Sequence, residues 1–358
     1  MQTPFSEANA PARILVIRLG AVGDLVRTLP AVRELRRTWP ESEIAWVLEA
    51  HVAQLLEGHP DIDRLIVYDR DKFIDEARRL RPKAARRLWQ LRRELRDFGP
   101  QLTLDFQGCF KSGLASALSN AGVRIGFDRP HVREWSHLFA NVRAPLLAAQ
   151  RHRVMRAVAL AHWAGAAPNG APQADLALTP SERRRGAELV RDIVGERTAV
   201  ALAPFSSERQ AWKRYPCASW CEVARGLSRE GYGVLILAGP GEEQDARELA
   251  CEAGPNVFSC EGVRLRELAA VVAESSLLIG GDTGPMHIAW GVGTPVVALF
   301  GPTDPGLNAP FGQGHVSLFP ERRTKRADRD KFPGITPERV LEAALGLLRG
   351  DPALTARR

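Results

Sequence analysis

Three groups of residues in this chain have types and spacing suited to chemistry. They are Asp24 behind a glycine loop, Lys213 in a polar loop, and the stretch Gly280-Gly281-Asp282-Thr283-Gly284-Pro285-Met286-His287. In the last, glycines at 280, 281 and 284 let backbone amides approach a ligand without side-chain obstruction. Pro285 suits a first helical turn, where its missing donor costs nothing. The unpaired amides of such a helix start attract anions, phosphate above all. An ordinary tight connection between a strand and a helix reads the same way. Asp282 would be repelled by phosphate and is assigned to hydroxyls or to local amides. Lys213, preceding Arg214-Tyr215-Pro216, either neutralises charge growing on a departing phosphate or is simply solvated. Asp24 either acts as a general base on an incoming hydroxyl or caps the helix it begins. Base, cation and anion-binding turn together suit metal-independent transfer of a sugar from a nucleotide donor to an alcohol.

The elements that must hold these residues alternate. Arg13–Arg18 reads as a buried strand entering the loop Leu19-Gly20-Ala21-Val22-Gly23-Asp24. Leu25, Leu29, Val32 and Leu35 then recur at helical spacing, and Ile44–Leu48 is a second strand. Strand, glycine loop, helix, strand is the opening of a doubly wound α/β domain. Gly20 and Gly23 do not complete a dinucleotide fingerprint. Leu65–Tyr68 and Leu102–Phe106 are further strands, the latter running into Gln107-Gly108-Cys109-Phe110-Lys111-Ser112. The basic stretch Arg78–Arg96 reads as a solvated helix face, with contact to a membrane surface or anionic acceptor as the alternative. Gly126–Asn141 is a loop dense in cationic or titratable side chains, among them Arg129, His131, Arg133 and His137, and is expected to form an acceptor wall. After the helix Arg151–Trp163 and the linker Ala164–Asp175 the architecture starts again. Strands Ala199–Leu202, Val234–Ala238, Val257–Ser259 and Ser276–Ile279 alternate with helices Pro216–Leu227, Glu243–Glu252 and Arg266–Ala273. Glu338–Leu348 is a last amphipathic helix. Ligands of such sheets bind outside the carboxyl ends of the strands, where all the unusual loops fall.

Composition narrows the class. At 358 residues two domains are expected, spanning 1–170 and 171–336, with 337–358 a helix and tail packing back on the first domain. The net charge of +7 and pI near 9.5 favour an anionic partner. A non-enzymatic nucleic-acid-binding protein is the remote alternative, because the basic helix carries a single aromatic, Trp89, among its arginines. Five dispersed cysteines imply reduced thiols in a cytoplasmic protein. No signal sequence or membrane-spanning run is read. His131 and His137 lack a ligand pattern with carboxylates, so no metal is expected. No Ser-His-Asp order, HExxH or P-loop is present, which leaves hydrolase and triphosphatase chemistry without support.

Five stretches, in order along most of the chain, resemble the bacterial ADP-heptose:lipopolysaccharide heptosyltransferases. They are Ile14–Asp24 with Thr28-Leu29-Pro30, Asp105-Phe106-Gln107-Gly108 with Lys111-Ser112, Trp212–Pro216, Asp282-Thr283-Gly284 with His287, and Phe300–Gly306. The second and fifth look most like heptosyltransferase I. The resemblance implies the GT-B fold, two Rossmann-like doubly wound parallel-sheet domains facing each other across a cleft. It implies inverting transfer of L-glycero-D-manno-heptose from ADP-heptose to a Kdo residue of the lipid A inner core. ADP-heptose is then the donor substrate, with no separate cofactor, and Kdo-lipid A the acceptor, with no protein partner expected. The enzyme would sit on the cytoplasmic face of the inner membrane. A later core acceptor or another donor sugar is the alternative within the family.

By the same resemblance Asp24 is the base and Lys213 the phosphate-contacting lysine. Thr283, Gly284 and His287 form the donor diphosphate loop, and Asp282 contacts the heptose. Glu242 binds the ribose, with Glu243 the alternative. Ser206 and Ser207 occupy the loop where the family carries small hydroxylated residues, and Val263 lies against adenine. Tyr215 stands where the family motif has Trp. Gly23, Lys111, Arg129 and Arg133 are the expected acceptor contacts.

Overall fold

The computed structural model describes residues 3–69 and 82–351. Arg78-Arg79 of the basic stretch and the tail from 352 onward therefore lie outside the described residues. The chain forms two compact units, Met1–Ala174 and Asp175–Arg358.

In the first unit, strands β1 (Arg13–Ile17), β2 (Glu43–Glu49), β3 (Arg64–Tyr68), β4 (Leu102–Asp105), β5 (Val123–Phe127) and β6 (Val142–Ala144) make one sheet. Its order is β3-β2-β1-β4-β5-β6, and every pairing is parallel. The near-continuous apolar runs of β1 and β2 fit strands covered on both faces. Ile14, Leu15, Val16 and Ile17 are fully buried. The helices that accompany the sheet are α1 (Val22–Thr38), α2 (Pro82–Phe98), α3 (Phe110–Ser119) and α4 (Arg153–Ala164). Helix α1 buries Leu25, Val26, Leu29, Val32 and Leu35 and packs along α4. That packing fixes the positions of Asp24 and of the start of α4.

The second unit repeats the plan. Helix α5 (Pro180–Val194) leads into β7 (Ala199–Ala203), α6 (Cys217–Arg229), β8 (Gly233–Leu237), α7 (Glu243–Ala253) and β9 (Val257–Cys260). Then come α8 (Leu265–Ala273), β10 (Leu277–Gly281), α9 (Gly284–Val292), β11 (Val296–Leu299), β12 (His315–Leu318) and α10 (Pro337–Leu348). The all-parallel order β12-β11-β10-β7-β8-β9 is the first unit's order read from the other edge. In both sheets the direction of winding reverses beside the first strand, between β1 and β4 and between β7 and β10. Switch points of this kind are where such sheets bind ligands.

Two expectations need correction. Helix α10 does not supply its apolar stripe to the first unit: Val340, Ala343 and Ala344 are buried in the second unit's core with Trp220 and Leu227. Gly226 of α6 allows that approach, since a Cβ there would stand 2.6 Å from Leu341. The loop expected over 126–141 begins only after Phe127, because Gly126 and Phe127 belong to β5 and pair with β6.

Close approach between helices sets one stability test. A Cβ on Gly186 of α5 would stand 2.5 Å from the Ala270 carbonyl oxygen of α8. Gly186→Ala is expected to lower stability by about 1–3 kcal/mol despite its better helix propensity. A thermal or urea melt checks this; an unchanged midpoint would mean that the helices separate freely.

Candidate active site

In the first unit, the site is built at the carboxyl ends of β1 and β4. Asp105 closes β4 and is buried. Its Oδ1 accepts the amides of Gln107 (2.9 Å) and Gly108 (3.1 Å), while its Oδ2 accepts the Ser112 hydroxyl (2.9 Å). Burial outweighs those hydrogen bonds and raises its pKa above the usual carboxylate value. Gln107 is aimed back at β1, where its Oε1 accepts the Leu19 amide at 2.7 Å. Gly108 has φ +67°, the left-handed region that favours glycine, and a Cβ there would also press on Val132 at 3.2 Å. The Gln-Gly…Lys-Ser motif is thus a scaffold that ties β4 to the loop after β1.

Asp24 stands in the first turn of α1 with its side chain 19% exposed. It is not the helix cap, since Ala21 occupies that position with no side-chain capping bond. Asp24 instead meets three guanidinium groups. Arg18 Nη2 pairs with Oδ2, Arg27 Nη2 donates to Oδ1, and Arg153 Nη1 reaches Oδ1 at 3.2 Å. Burial pushes this carboxyl up, but Arg18, Arg27 and Arg153 together hold it well below the ordinary carboxylate range. Arg18 Nη1 also donates to the Phe106 carbonyl at 2.5 Å, fixing its fork between the two strand ends.

These residues open on a cavity of about 410 Å³ within the first unit, with Thr28, Gln107, His131, Arg133 and Arg156 in its walls. Of the four expected acceptor contacts, only Arg133 lines it. Gly23 is buried in the first turn of α1, beside Asp24 in sequence. Lys111 borders a different cavity, apolar and about 250 Å³, with Leu19, Leu88 and Leu118. Arg129 lies over the Trp135 ring, 5.2 Å from its centroid. Arg18, Arg27, Arg153 and Arg156 were not among the expected contacts.

In the second unit, β7 and β10 deliver the other expected residues. The segment Glu208–Lys213 after β7 is a short 3₁₀ stretch, not open loop. It brings Lys213 Nζ to 3.0 Å from the Asp282 carbonyl and 3.4 Å from its Oδ2. His287 Nε2 stands 3.5 Å from Asp282 Oδ1. All three are largely enclosed, with side-chain exposures of 14% for Lys213, 8% for Asp282 and 3% for His287. Asp282 therefore stands between the lysine and the histidine and holds both in place. Thr283 is the N-cap of α9 yet makes no side-chain capping bond; its amide turns back to the Gly281 carbonyl at 2.7 Å. The helix start keeps its anion-attracting amides, with Pro285 in the first turn.

Other expected donor residues are tied into the loops themselves. Ser206 is buried and donates to the Gln210 carbonyl at 3.1 Å, whereas Ser207 is exposed. Glu242 Oε2 accepts the Gly239 amide at 2.9 Å and Glu243 Oε2 accepts the Gly241 amide at 2.8 Å, so both carboxylates brace the turn after β8. Val263 is half-buried between β9 and α8. Tyr215 is buried, packs edge-on against Trp220 and Phe332, and donates its hydroxyl to the Ile335 carbonyl at 2.7 Å. An aromatic with a polar tip suits that place. Among the described residues, no group of three His, Cys, Asp or Glu side chains is placed to hold a metal ion.

Residues 88–332 match the family described as glycosyltransferase family 9 (heptosyltransferase). The chain belongs to this glycosyltransferase family. Lipopolysaccharide heptosyltransferase 1 of Escherichia coli K12 is 26% identical over 332 residues, which cover 92% of this chain and 98% of that protein. The lipopolysaccharide core heptosyltransferase OpsX of Haemophilus influenzae is 26% identical over 325 residues, covering 88% and 87%. Lipopolysaccharide heptosyltransferase 2 of Salmonella typhimurium reaches 27% over 362 residues, with 94% and 98% covered. Overall identity thus does not separate the type 1 and type 2 enzymes. The fold matches E. coli heptosyltransferase WaaC with ADP at a TM-score of 0.77 and 22% identity, covering 94% of this chain and 99% of that one. This glycosyltransferase therefore has the two-sheet GT-B architecture of the heptosyltransferases.

Proposed function

We propose that this glycosyltransferase moves L-glycero-D-manno-heptose from ADP-heptose to a Kdo residue of the lipid A inner core, with inversion and without a metal ion. The observation that carries this reading is the division of chemistry between the units. The first holds a carboxylate in an arginine-lined cavity. The second holds a lysine beside a helix start suited to a diphosphate.

In the proposed reaction an acceptor hydroxyl oxygen attacks the anomeric carbon of heptose from the face opposite ADP. The C–O bond to the β-phosphate breaks, and its electron pair leaves with ADP. Asp24 takes the hydroxyl proton. Lys213 and the first amides of α9 meet the charge gathering on the diphosphate, the work that a metal ion does elsewhere. Asp282 orients Lys213 and accepts a heptose hydroxyl, His287 and Thr283 border the diphosphate, and Glu242 and Val263 flank the nucleoside. An anionic acceptor suits the cavity's five arginines. Among the described residues no helix is long and apolar enough to cross a membrane. The proposed place of action is the cytoplasmic membrane face, reached through the acceptor.

The substrate reading is tested by acceptor mass after incubation with ADP-heptose. Kdo-lipid A is expected to gain one heptose, and the already heptosylated acceptor to remain unchanged. Gain on the heptosylated acceptor alone would assign the type 2 reaction instead.

A further inference from the structure

The three arginines around Asp24 pose a problem for a base. Proton acceptance becomes more efficient as a carboxylate's affinity for protons rises toward the working pH. Asp24 is shifted the other way by Arg18 from the end of β1, Arg27 from α1 and Arg153 from α4. The other charged or titratable groups of the cavity are His131 and Arg133, from the segment after β5, and Arg156 of α4. All are cationic or neutral, so none offsets the effect. In the structure as it stands, Asp24 serves its arginines as a counter-ion.

Further arginines stand close to the same cavity. Arg151, Arg153 and Arg156 crowd the start of α4, where the helix dipole repels cations and attracts anions. Burial, then Arg153, then Arg151 lower the proton affinity of the Arg156 guanidinium, as expected for cations packed without enough negative charge. Arg18 Nε is buried and has no hydrogen-bond partner among the described residues. One carboxylate divided among three guanidinium groups leaves room for a second acid.

We infer that an acid group on the acceptor takes Arg153 from Asp24 and shares Arg18 with it, and that this exchange converts Asp24 from counter-ion to base. The inference rests on the reading of Asp24 as the proton acceptor. Arg153 is the mobile partner: its side chain is 45% exposed and its bond is the longest of the three. Arg27, with a side chain only 8% exposed, stays and orients the carboxylate. An acceptor carboxylate of a sugar acid matches a guanidinium fork in bidentate geometry. Recognition and activation are then one event. A neutral alcohol entering the cavity meets a base still masked by its arginines, so specificity for acidic acceptors is expressed in turnover as well as in affinity. Arg153 is thus a positioning residue acting through Asp24.

The test compares two acceptors, Kdo-lipid A and its analogue with the Kdo carboxylates converted to carboxamides, in wild type, Arg153→Gln and Arg153→Lys. With the acidic acceptor, Arg153→Gln should lose about tenfold or more in kcat/KM, the worth of a charge-assisted contact. With the carboxamide the order should invert. Arg153→Gln should exceed wild type by roughly three- to tenfold in kcat, because one masking charge has gone, and Arg153→Lys, which keeps the charge, should show no such gain. A structural or purely binding role does not produce that inversion. Equal or lower kcat of Arg153→Gln on the carboxamide, or no turnover of it by either protein, would overturn the inference. Absence of wild-type transfer to Kdo-lipid A would instead overturn the transfer reading itself.

Discussion

Asp24→Asn is expected to reduce turnover by about 10²–10⁴-fold, the usual worth of a positioned general base, with little change in ADP-heptose affinity. The substitution keeps the size and one oxygen of the side chain but removes the charge that Arg18, Arg27 and Arg153 share. The proposed donor residues lie in the second unit's loops, so donor affinity, measured by calorimetry, should stay within about twofold, as expected when only a proton-accepting step is lost. Acceptor affinity should be retained or rise, because the arginines gain freedom to meet an acid. Near wild-type turnover would remove Asp24 from the role of base. A matched fall in donor affinity would make its role structural. Leaving three guanidinium groups without their carboxylate also costs stability, so the melting temperature should be read beside the rate.

Lys213→Ala should act on both binding and rate. Its ammonium is held by the Asp282 carbonyl and carboxylate, and it is the basic group of the β7 loop fixed directly against the start of α9. Removing a preorganised cation from a developing diphosphate is expected to lower kcat by roughly 10²–10³-fold. ADP affinity should fall by about tenfold. Lys213→Arg should recover part of the affinity and little of the rate, since a planar fork cannot occupy the position of a compact ammonium. Unchanged kinetics of Lys213→Ala would exclude the phosphate role.

The parts of the fold most legible in sequence are those with uninterrupted apolar runs. Ile14–Ile17, Ala199–Ala203 and Leu277–Ile279 become the central strands of the two sheets, and the loops after them carry the candidate site. The strands on the β6 and β12 sides of the sheets are less visible. Strand β5 carries Arg124 and Gly126 inside its five residues, β6 has three residues, and β12 begins at His315. Helix α5 buries only Gly186, Val190 and Val194 along a narrow stripe, although Thr179 and Glu182 form a capping box at its start. That box was the available signal.

The site divides in the same way. Asp24, Lys213, Asp282 and His287 stand out because an isolated charge beside glycine or proline needs an explanation. The arginine cavity does not stand out. Arg153 and Asp24 are 129 positions apart, joined only through the packing of α4 on α1. In a chain with 49 lysines and arginines, no single arginine announces itself. The one local hint was Arg18, the charge that ends the fully buried run of β1. Lys111 and Arg129 lie close in sequence to the glycine motif and the basic loop, but Lys111 borders the apolar cavity and Arg129 lies over Trp135.

The most direct measurement of the account is proton NMR of the product formed from ADP-heptose and Kdo-lipid A in the presence of EDTA. The account predicts one new heptose per acceptor, an anomeric configuration opposite to that in the donor, and one ADP released per transfer. No transfer, transfer that stops when EDTA is added, or a product that retains the donor's configuration would contradict it.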